Sequence, residues 1–202
     1  MTKNDRWNKL YKASTELFGH SVNTLLLDNA HQFQSKRHIL NLGDGEGFNS
    51  IFLARQGHDV VSLDSSVTAQ EKAATNASRM NTSIHFVLSN CLDWQQPDET
   101  FDVITLFFVH IDSGDKSKLA ANIQRWLKPG GIFLMECFHK ENLTISTLGP
   151  RDSAQLYDEE EINALFPKLK CQKMLKQKSQ SYMETIGHEN VCTVQYTAIK
   201  IN

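Results

Sequence analysis

Short apolar runs alternate with amphipathic stretches through the first 140 positions of the chain. Five runs are rich in β-branched and aromatic side chains, which is typical of β-strands. They lie at residues 38–42, 59–63, 84–88, 102–108 and 132–138. Between them, apolar residues recur at helical spacing at residues 49–56, 68–80 and 116–127. This alternation predicts an α/β fold, a doubly wound and mostly parallel sheet covered by helices on both faces.

The two ends of the chain depart from this alternation. Residues 156–166, LYDEEEINALF, place acidic residues before an apolar stripe, which favours a helix start. Strand-like runs at residues 171–178 and 191–201 are separated by the turn-like METIGHEN and predict an antiparallel hairpin at the sheet edge. At the N-terminus, residues 5–30 predict one or two amphipathic helices that either pack against the body or close over a site.

Composition and charge narrow the class of protein. The 202 residues suit one domain with a substantial core. The 21 Lys and Arg against 23 Asp and Glu leave a formal net charge of −2, so no basic surplus favours nucleic acid or an anionic membrane. The longest apolar run is too short to span a bilayer and the N-terminus lacks an apolar signal core, so we expect a cytoplasmic protein.

Cysteine and histidine spacing gives no sign of a disulfide framework or a metal site. The four cysteines are dispersed and include no C-x-x-C pair, so we expect reduced thiols. No cluster of His, Cys or carboxylate residues has metal-ligand spacing in the sequence, and no metal is expected.

The stretch HILNLGDGEGFNS, residues 38–50, places three glycines between a predicted strand and a predicted helix. Gly43, Gly45 and Gly47 therefore lie where a doubly wound sheet binds its ligand. Glycine there permits positive φ and lets ligand atoms lie against bare backbone, although a tight turn without a ligand explains the same residues. A dinucleotide fingerprint requires a third glycine where Phe48 stands, and no P-loop Lys follows, so nicotinamide cofactors and nucleoside phosphates are disfavoured.

Acidic residues around this turn indicate the charge of the ligand. Asp44 and Glu46 would oppose a pyrophosphate and suit a ligand with a cationic centre. Asp64 ends the next strand, about twenty residues past the first glycine, where a carboxylate can accept hydrogen bonds from ribose hydroxyls. Capping of the following helix is the alternative explanation for Asp64. The implied ligand is a positively charged nucleoside without phosphates, and S-adenosylmethionine fits that description.

Four motifs, in this order and spacing, resemble the class I S-adenosylmethionine-dependent methyltransferases. They are ILNLGDGEG, the acid in VVSLDSS, FDVITLFF and LKPGGIFLMECF. The resemblance implies the strand order 3-2-1-4-5-7-6, which the C-terminal hairpin suits. Within the fourth motif, KPGG predicts a type II turn, because Pro129 presets φ and Gly130 accepts a positive φ.

Further stretches resemble the small bacterial methyltransferases of the tellurite-resistance and thiopurine methyltransferase groups. They are WNKLYKAS, FFVHI, and NLTISTLGPRDSAQLYDEEEINALF followed by GHENVCTVQ. The chain departs from that pattern at Asp44, where Cys is common, at Leu148, where Gly is frequent, and at Asn90, where Asp is frequent. The resemblance implies a single domain, with an N-terminal helical lid at 1–31, a cofactor-binding core at 38–140, and a substrate loop, helix and hairpin at 141–202.

The same resemblance implies roles for the candidate site residues. The cofactor-binding set is Trp7, Tyr11, Gly43, Asp44, Gly45, Gly47, Asp64, Ser65, Asn90, Cys91, Leu92 and Phe107. The glycines would face the methionine half of S-adenosylmethionine, Asp64 the ribose, and residues 90–92 the adenine. A small buried hydrophobe explains Cys91 equally well. Trp7 and Tyr11, an i, i+4 pair, either close over the cofactor or form a core stripe.

His110, just past the fourth strand, is the candidate catalytic residue. Methyl transfer from a sulfonium requires that the protein align the acceptor, exclude water and, where needed, remove a proton. His110 would act as a base or hold an acceptor oxygen, and a structural hydrogen bond explains it equally well. Phe107 and Phe108 would shape the pocket, although alternation predicts that one of them turns into the core.

The implied function is methyl transfer to a small-molecule nucleophile, a thiol, a chalcogen oxyanion or an amine. We expect no nucleic-acid or membrane partner, and a monomer or homodimer. One alternative is a methyltransferase acting on RNA or protein, which the charge balance and the lack of an N/D-P-P-Y/F motif after the fourth strand disfavour. The other is a non-catalytic S-adenosylmethionine-binding protein, which the departures at Asp44 and Leu148 favour.

Overall fold

The computed structural model describes residues 3–201 of the chain, which form seven strands and six α-helices in this range. The strands are β1 (His38–Leu42), β2 (Asp59–Asp64), β3 (His85–Leu88), β4 (Phe101–Phe107), β5 (Leu127–Phe138), β6 (Leu169–Met183) and β7 (Gly187–Lys200). The helices are α1 (Lys3–Ala13), α2 (Thr24–Asn29), α3 (Phe48–Arg55), α4 (Val67–Arg79), α5 (Ser113–Trp126) and α6 (Glu159–Leu165).

The strands form one sheet in the order β3-β2-β1-β4-β5-β7-β6. Strands β1 to β5 are parallel, whereas β7 runs antiparallel to both β5 and β6. The predicted doubly wound sheet, its strand order and its antiparallel C-terminal edge are therefore confirmed. No helix in residues 3–201 is both long enough and apolar enough to cross a membrane.

The two faces of the sheet pack into separate apolar cores. Ile39 of β1 joins a cluster with Leu26 of α2 and Leu53 of α3. Its neighbour Leu40 faces the other way and joins the larger cluster that contains Trp126. Because helices cover both faces, β1 reads in the sequence as a nearly continuous apolar run.

Strand β5 is interrupted near its start by the KPGG turn. Phe101 pairs with Leu127, but Val103 already pairs with Ile132, so residues 128–131 project from the sheet. Gly130 has φ of +73°, in agreement with the predicted type II turn. The strand therefore begins at Leu127 rather than at the predicted residue 132.

The C-terminal hairpin is longer than its sequence pattern indicates. Pairing runs from Leu169 opposite Lys200 to Met183 opposite Gly187, whereas the predicted runs covered residues 171–178 and 191–201. Side chains of β6 are mostly exposed on both sides, so the strand has little alternation to detect. The outer half of this hairpin, residues 179–188, takes part in the candidate site described below.

Candidate functional site

A cavity of about 1080 Å³ opens at the carboxyl ends of the parallel strands, where doubly wound sheets bind ligands. The loops that follow β1, β2, β3 and β4 line it from below. Helix α1, residues 18–24 and the outer half of the hairpin line it from above. The structure brings all of the predicted site residues except Gly47 to this cavity.

The glycine turn has the predicted backbone geometry. The φ values of Gly43, Gly45 and Gly47 are +65°, +60° and +85°. A Cβ on Gly45 would lie 2.6 Å from Tyr11 Oη, and a Cβ on Gly47 would lie 2.9 Å from the Cβ of Ala73. Packing within the chain thus requires glycine at these two positions, and Gly47 serves the contact between α3 and α4.

Asp64 holds the glycine turn in place. Its Oδ2 accepts a hydrogen bond of 2.9 Å from the Gly45 N–H, and its Oδ1 accepts one of 2.8 Å from the Ser66 N–H. Burial raises the pKa of Asp64, and these backbone hydrogen bonds lower it in part. Helix α4 is capped by Ser66, whose Oγ accepts from the Ala69 N–H, so the capping explanation of Asp64 is wrong.

The two other acids of the turn do not present bare charges to a ligand. Asp44 Oδ2 accepts from Ser62 Oγ at 2.7 Å, while Oδ1 is buried without a hydrogen-bond partner in the described part of the chain. Burial raises the pKa of Asp44 to about 7. The Glu46 side chain is 3% exposed and pairs with Lys72 Nζ at 3.0 Å. Because Lys72 balances the charge of Glu46, this residue contributes less to the attraction of a cationic ligand than the sequence indicates.

The loop after β3 supplies both polar and apolar groups. Asn90 is exposed, and its Oδ1 accepts a hydrogen bond of 2.9 Å from the Leu92 N–H, which shapes the loop. Cys91 belongs to the larger apolar cluster, which confirms its packing role, and it also lines the cavity, so its contact with the cofactor stays a prediction. Burial raises the pKa of the Cys91 thiol to about 11, which keeps it protonated at neutral pH.

The N-terminal aromatic pair contributes both to the cavity wall and to a core cluster, and its closure over the cofactor stays a prediction. Trp7 and Tyr11 line the cavity with ring centroids 6.0 Å apart. Tyr11 is also buried in a cluster with Leu17 and Ala69. Helix α1 is fastened to the start of α4, because Asn8 Oδ1 accepts a hydrogen bond of 2.7 Å from Ser66 Oγ.

His110 lies in the cavity wall among aromatic rings. Its ring centroid is 5.4 Å from that of Trp7 and 6.1 Å from that of Phe138. Phe107 packs against the apolar cluster that contains Ile39, which confirms in part the prediction that one of the two phenylalanines turns into the core. Phe107 and Phe108 both also line the cavity. The strand ends at Phe107, and the φ of +55° at Phe108 breaks the alternation.

Sequence reasoning missed Glu136, which lies in the cavity wall on β5. The residue is 4% exposed. Its Oε2 accepts from Asn23 Nδ2 at 2.8 Å and its Oε1 accepts from Thr193 Oγ1 at 3.0 Å. The available signal was one acid inside the otherwise apolar run IFLMECF.

Sequence reasoning also missed how the loop that carries Thr147 and Leu148 is fixed. Glu189 of β7 accepts hydrogen bonds from the Thr147 N–H at 2.7 Å and from the hydroxyls of Ser146 and Thr147 at 2.5 Å. These donors hold the pKa of Glu189 down at about 2. Leu148 is buried against Phe138 and lines the cavity, which gives this departure from the family pattern a packing role.

Outside the cavity, the fold brings His139, Glu141 and Cys192 together, with ligand atoms within 4.8 Å of one another. Protein groups already engage two of these side chains. His139 Nε2 lies 3.1 Å from a Glu159 carboxylate oxygen, and Glu141 pairs with Lys176 at 2.6 Å. A metal ion would have to displace both of these contacts.

Comparison with known proteins agrees with this architecture. Residues 39–131 match the family model described as a methyltransferase domain. Phosphoethanolamine N-methyltransferase 3 of Arabidopsis thaliana is 34% identical over 98 residues, which is 48% of this chain and 20% of that protein. The chain spans between 20% and 44% of the first four curated relatives it matches.

Solved structures share the fold over nearly the whole chain. One, described as the conversion of a disulfide bond into a thioacetal group during echinomycin biosynthesis, has a TM-score of 0.81 at 16% identity and covers 99% of this chain and 94% of that chain. TehB from Haemophilus influenzae has a TM-score of 0.75 at 18% identity and covers 98% of this chain and 67% of that chain. At these identities the similarity concerns the fold.

The matched segment contains the glycine turn, Asp64 and the first four strands of the sheet. The strand order is that of the Rossmann-like methyltransferase fold. Residues 39–131 are thus similar to a methyltransferase domain, and S-adenosylmethionine is the methyl donor that this similarity implies.

Proposed function

We propose that this chain transfers a methyl group from S-adenosylmethionine to a small-molecule nucleophile. The observation that carries the proposal is the shared cavity: the glycine turn, Asp64 and residues 90–92 line the same space as His110 and Glu136. A cavity covered by α1 and the hairpin suits a small acceptor better than RNA or a folded protein. We propose the same division of the chain as above, with residues 1–31 as a lid over the core, of which residues 1 and 2 lie outside the described part of the chain.

The residues at the glycine turn fit S-adenosylmethionine. Asp64 has lone pairs left after its two backbone hydrogen bonds, and with Ser65 it would hold the ribose hydroxyls. Asn90 would bind an adenine edge, with Leu92 packed on the ring face. Gly43 and Gly45 would face the methionine half. When bound, the sulfonium supplies an electrophilic methyl group.

The protein's own residues would exclude water, position the acceptor and remove its proton. Trp7 and Tyr11 exclude water from above, because α1 lies across the turn. His110 would hold the acceptor or take its proton.

We expect His110→Ala to slow single-turnover methyl transfer at least tenfold at saturating cofactor while leaving cofactor affinity unchanged. His31→Ala, at an exposed histidine outside the cavity, is the matched control, and an equal rate in the two variants would make His110 structural.

The acceptor class is a thiol, a chalcogen oxyanion or an amine. The resemblance to the tellurite-resistance and thiopurine groups, with TehB among proteins of the same fold, supports the first two. The name of the relative phosphoethanolamine N-methyltransferase 3 supports an amine.

Isothermal titration with S-adenosylmethionine and S-adenosylhomocysteine, with NAD as control, tests the cofactor first. We expect micromolar affinity for the first two and no binding of NAD. Thiols, selenite, tellurite and amines are then screened for methyl transfer. Absence of cofactor binding would overturn the proposal, and binding without turnover of any acceptor would favour a non-catalytic protein. Methylation of RNA or protein instead would favour the macromolecular alternative.

A further inference from the structure

Glu136 occupies a part of the cavity away from the ribose site. In the strand order β2-β1-β4-β5, Glu136 on β5 lies three strands from Asp64, which is roughly 14 Å at the usual strand spacing. Its register partner on β4 is Phe107, which also lines the cavity. Glu136 is therefore placed to meet the acceptor rather than the ribose.

The carboxylate of Glu136 is buried, yet its protein partners are neutral. Its oxygens accept hydrogen bonds from the Asn23 amide and the Thr193 hydroxyl, and no ion pair of the described residues includes it. Glu46, the other buried glutamate of the cavity, pairs with Lys72. Burying a carboxylate without a cation is costly, so a bound cation would complete the Glu136 site.

The surroundings of Glu136 favour an organic cation. Phe107, Phe108 and Phe138 line the same cavity, and the rings of the last two have centroids 5.0 Å apart. Aromatic faces attract cations and accommodate apolar groups. A selenite or tellurite oxyanion would instead be repelled by Glu136.

We infer that Glu136 binds the ammonium form of the methyl acceptor, so that the substrate class is an amine with an apolar or aromatic group. That nitrogen must give up one proton, to His110 in the proposed function, before its lone pair attacks the methyl group of the sulfonium. The inference rests on the proposed function, because it assigns the acceptor part of the same cavity. Asn23 and Thr193 act as positioning residues, since their hydrogen bonds fix the carboxylate toward the cavity.

Binding to the protein loaded with S-adenosylhomocysteine tests this inference without any turnover. The probes are phenethylamine, which is protonated at neutral pH, and its neutral analogue 2-phenylethanol. We expect phenethylamine to bind about tenfold more tightly than the alcohol, since this corresponds to about 1.4 kcal/mol from one charge contact. In Glu136→Gln we expect that preference to disappear, while affinities for the alcohol and for S-adenosylhomocysteine stay within about twofold.

Two further variants make the result specific. Glu136→Asp keeps the charge and should keep part of the amine preference, which also guards against a folding defect in the Gln variant. Asp115→Asn removes another carboxylate that lines the cavity, and it should leave the preference unchanged. An equal loss of the amine preference in Asp115→Asn would overturn the inference. The general negative potential of the cavity would then explain the preference without a specific contact to Glu136.

The remaining outcomes separate this inference from the proposed function. An unchanged amine preference in Glu136→Gln would overturn the inference, as would the failure of a panel of primary, secondary and aromatic amines to bind the loaded protein. Tighter binding of thiols or selenite than of any amine would overturn it too. Failure of S-adenosylhomocysteine itself to bind would instead overturn the proposed function.

Discussion

The Asp64 carboxylate accepts a hydrogen bond of 2.9 Å from the backbone N–H of Gly45, and this bond joins the ends of β1 and β2. The second carboxylate oxygen accepts from the Ser66 N–H at the start of α4. One side chain thus shapes the glycine turn and faces the cavity. Its role in holding the turn and its proposed role toward the ribose are therefore coupled.

Replacing Asp64 with Ala should weaken cofactor binding and loosen the turn. We expect affinity for S-adenosylhomocysteine in calorimetry to fall at least tenfold, because the variant loses the ribose acceptor and the support of the Gly45 N–H. Asp59→Ala is the control, because it removes an exposed acid at the start of the same strand. The ion pair that Asp59 forms with Lys36 contributes less than about 1 kcal/mol to stability. Unchanged affinity in Asp64→Ala would exclude this residue from the site.

A side chain at Gly45 should conflict with Tyr11. The positive φ at this position costs an alanine about 1–3 kcal/mol, and the Cβ would lie 2.6 Å from Tyr11 Oη. Gly57→Ala is the matched control, since Gly57 has φ of +89° but open space around the position of its Cβ. We expect Gly45→Ala to lower the free energy of unfolding more than Gly57→Ala does.

A double-mutant cycle identifies the cause of that difference. Tyr11→Phe removes the oxygen that the new Cβ would meet, so the double variant with Gly45→Ala should be more stable than the sum of the two single changes predicts. Additive effects in urea unfolding would show that backbone strain alone is responsible and that the hydroxyl is not in contact.

Asp44 should make the stability of the protein depend on pH. Its pKa is about 7 in the folded state, above the ordinary value, so the folded protein binds more protons than the unfolded chain between about pH 4 and 7. The contribution of Asp44 is therefore present at low pH and falls by up to about 1.4 kcal/mol per pH unit as the pH rises through this window.

Asp44→Asn removes this titration. We expect the variant to be more stable than the original protein at pH 8, and the difference should shrink toward pH 4. Urea unfolding at pH 4, 6 and 8 measures it. A parallel pH dependence in the two proteins would contradict the raised pKa.

Strong local patterns predicted the centre of the sheet. Strand β1 coincides with its predicted range, because an apolar run ending in glycine has few other structures available. The glycine turn and Asp64 were found because their spacing follows directly from the strand-turn-helix geometry. Most of the candidate site could thus be predicted, since it follows consecutive strand ends.

Features that depend on tertiary contacts could not be predicted. The pair of Glu46 and Lys72 joins residues from different elements, and nothing local shows that the glutamate is neutralised. Glu136 interrupts an apolar run. A glutamate at this place in the sequence is compatible both with a strand end that faces solvent and with a buried site residue, and the pattern does not distinguish the two. Its carboxylate is held by Asn23 and Thr193, which come from opposite ends of the chain.

Glu189 should control the acceptor part of the cavity through the loop that carries Thr147. Its pKa is lowered to about 2 by the Ser146 and Thr147 donors, so its contribution is present above the ordinary glutamate pKa and is lost as the pH falls toward 2. In Glu189→Gln we expect faster amide hydrogen exchange at Thr147 and weaker acceptor binding, with unchanged affinity for S-adenosylhomocysteine. Glu160→Gln, at an exposed acid of α6, is the control, and equal exchange at Thr147 in both variants would show that Glu189 does not hold the loop.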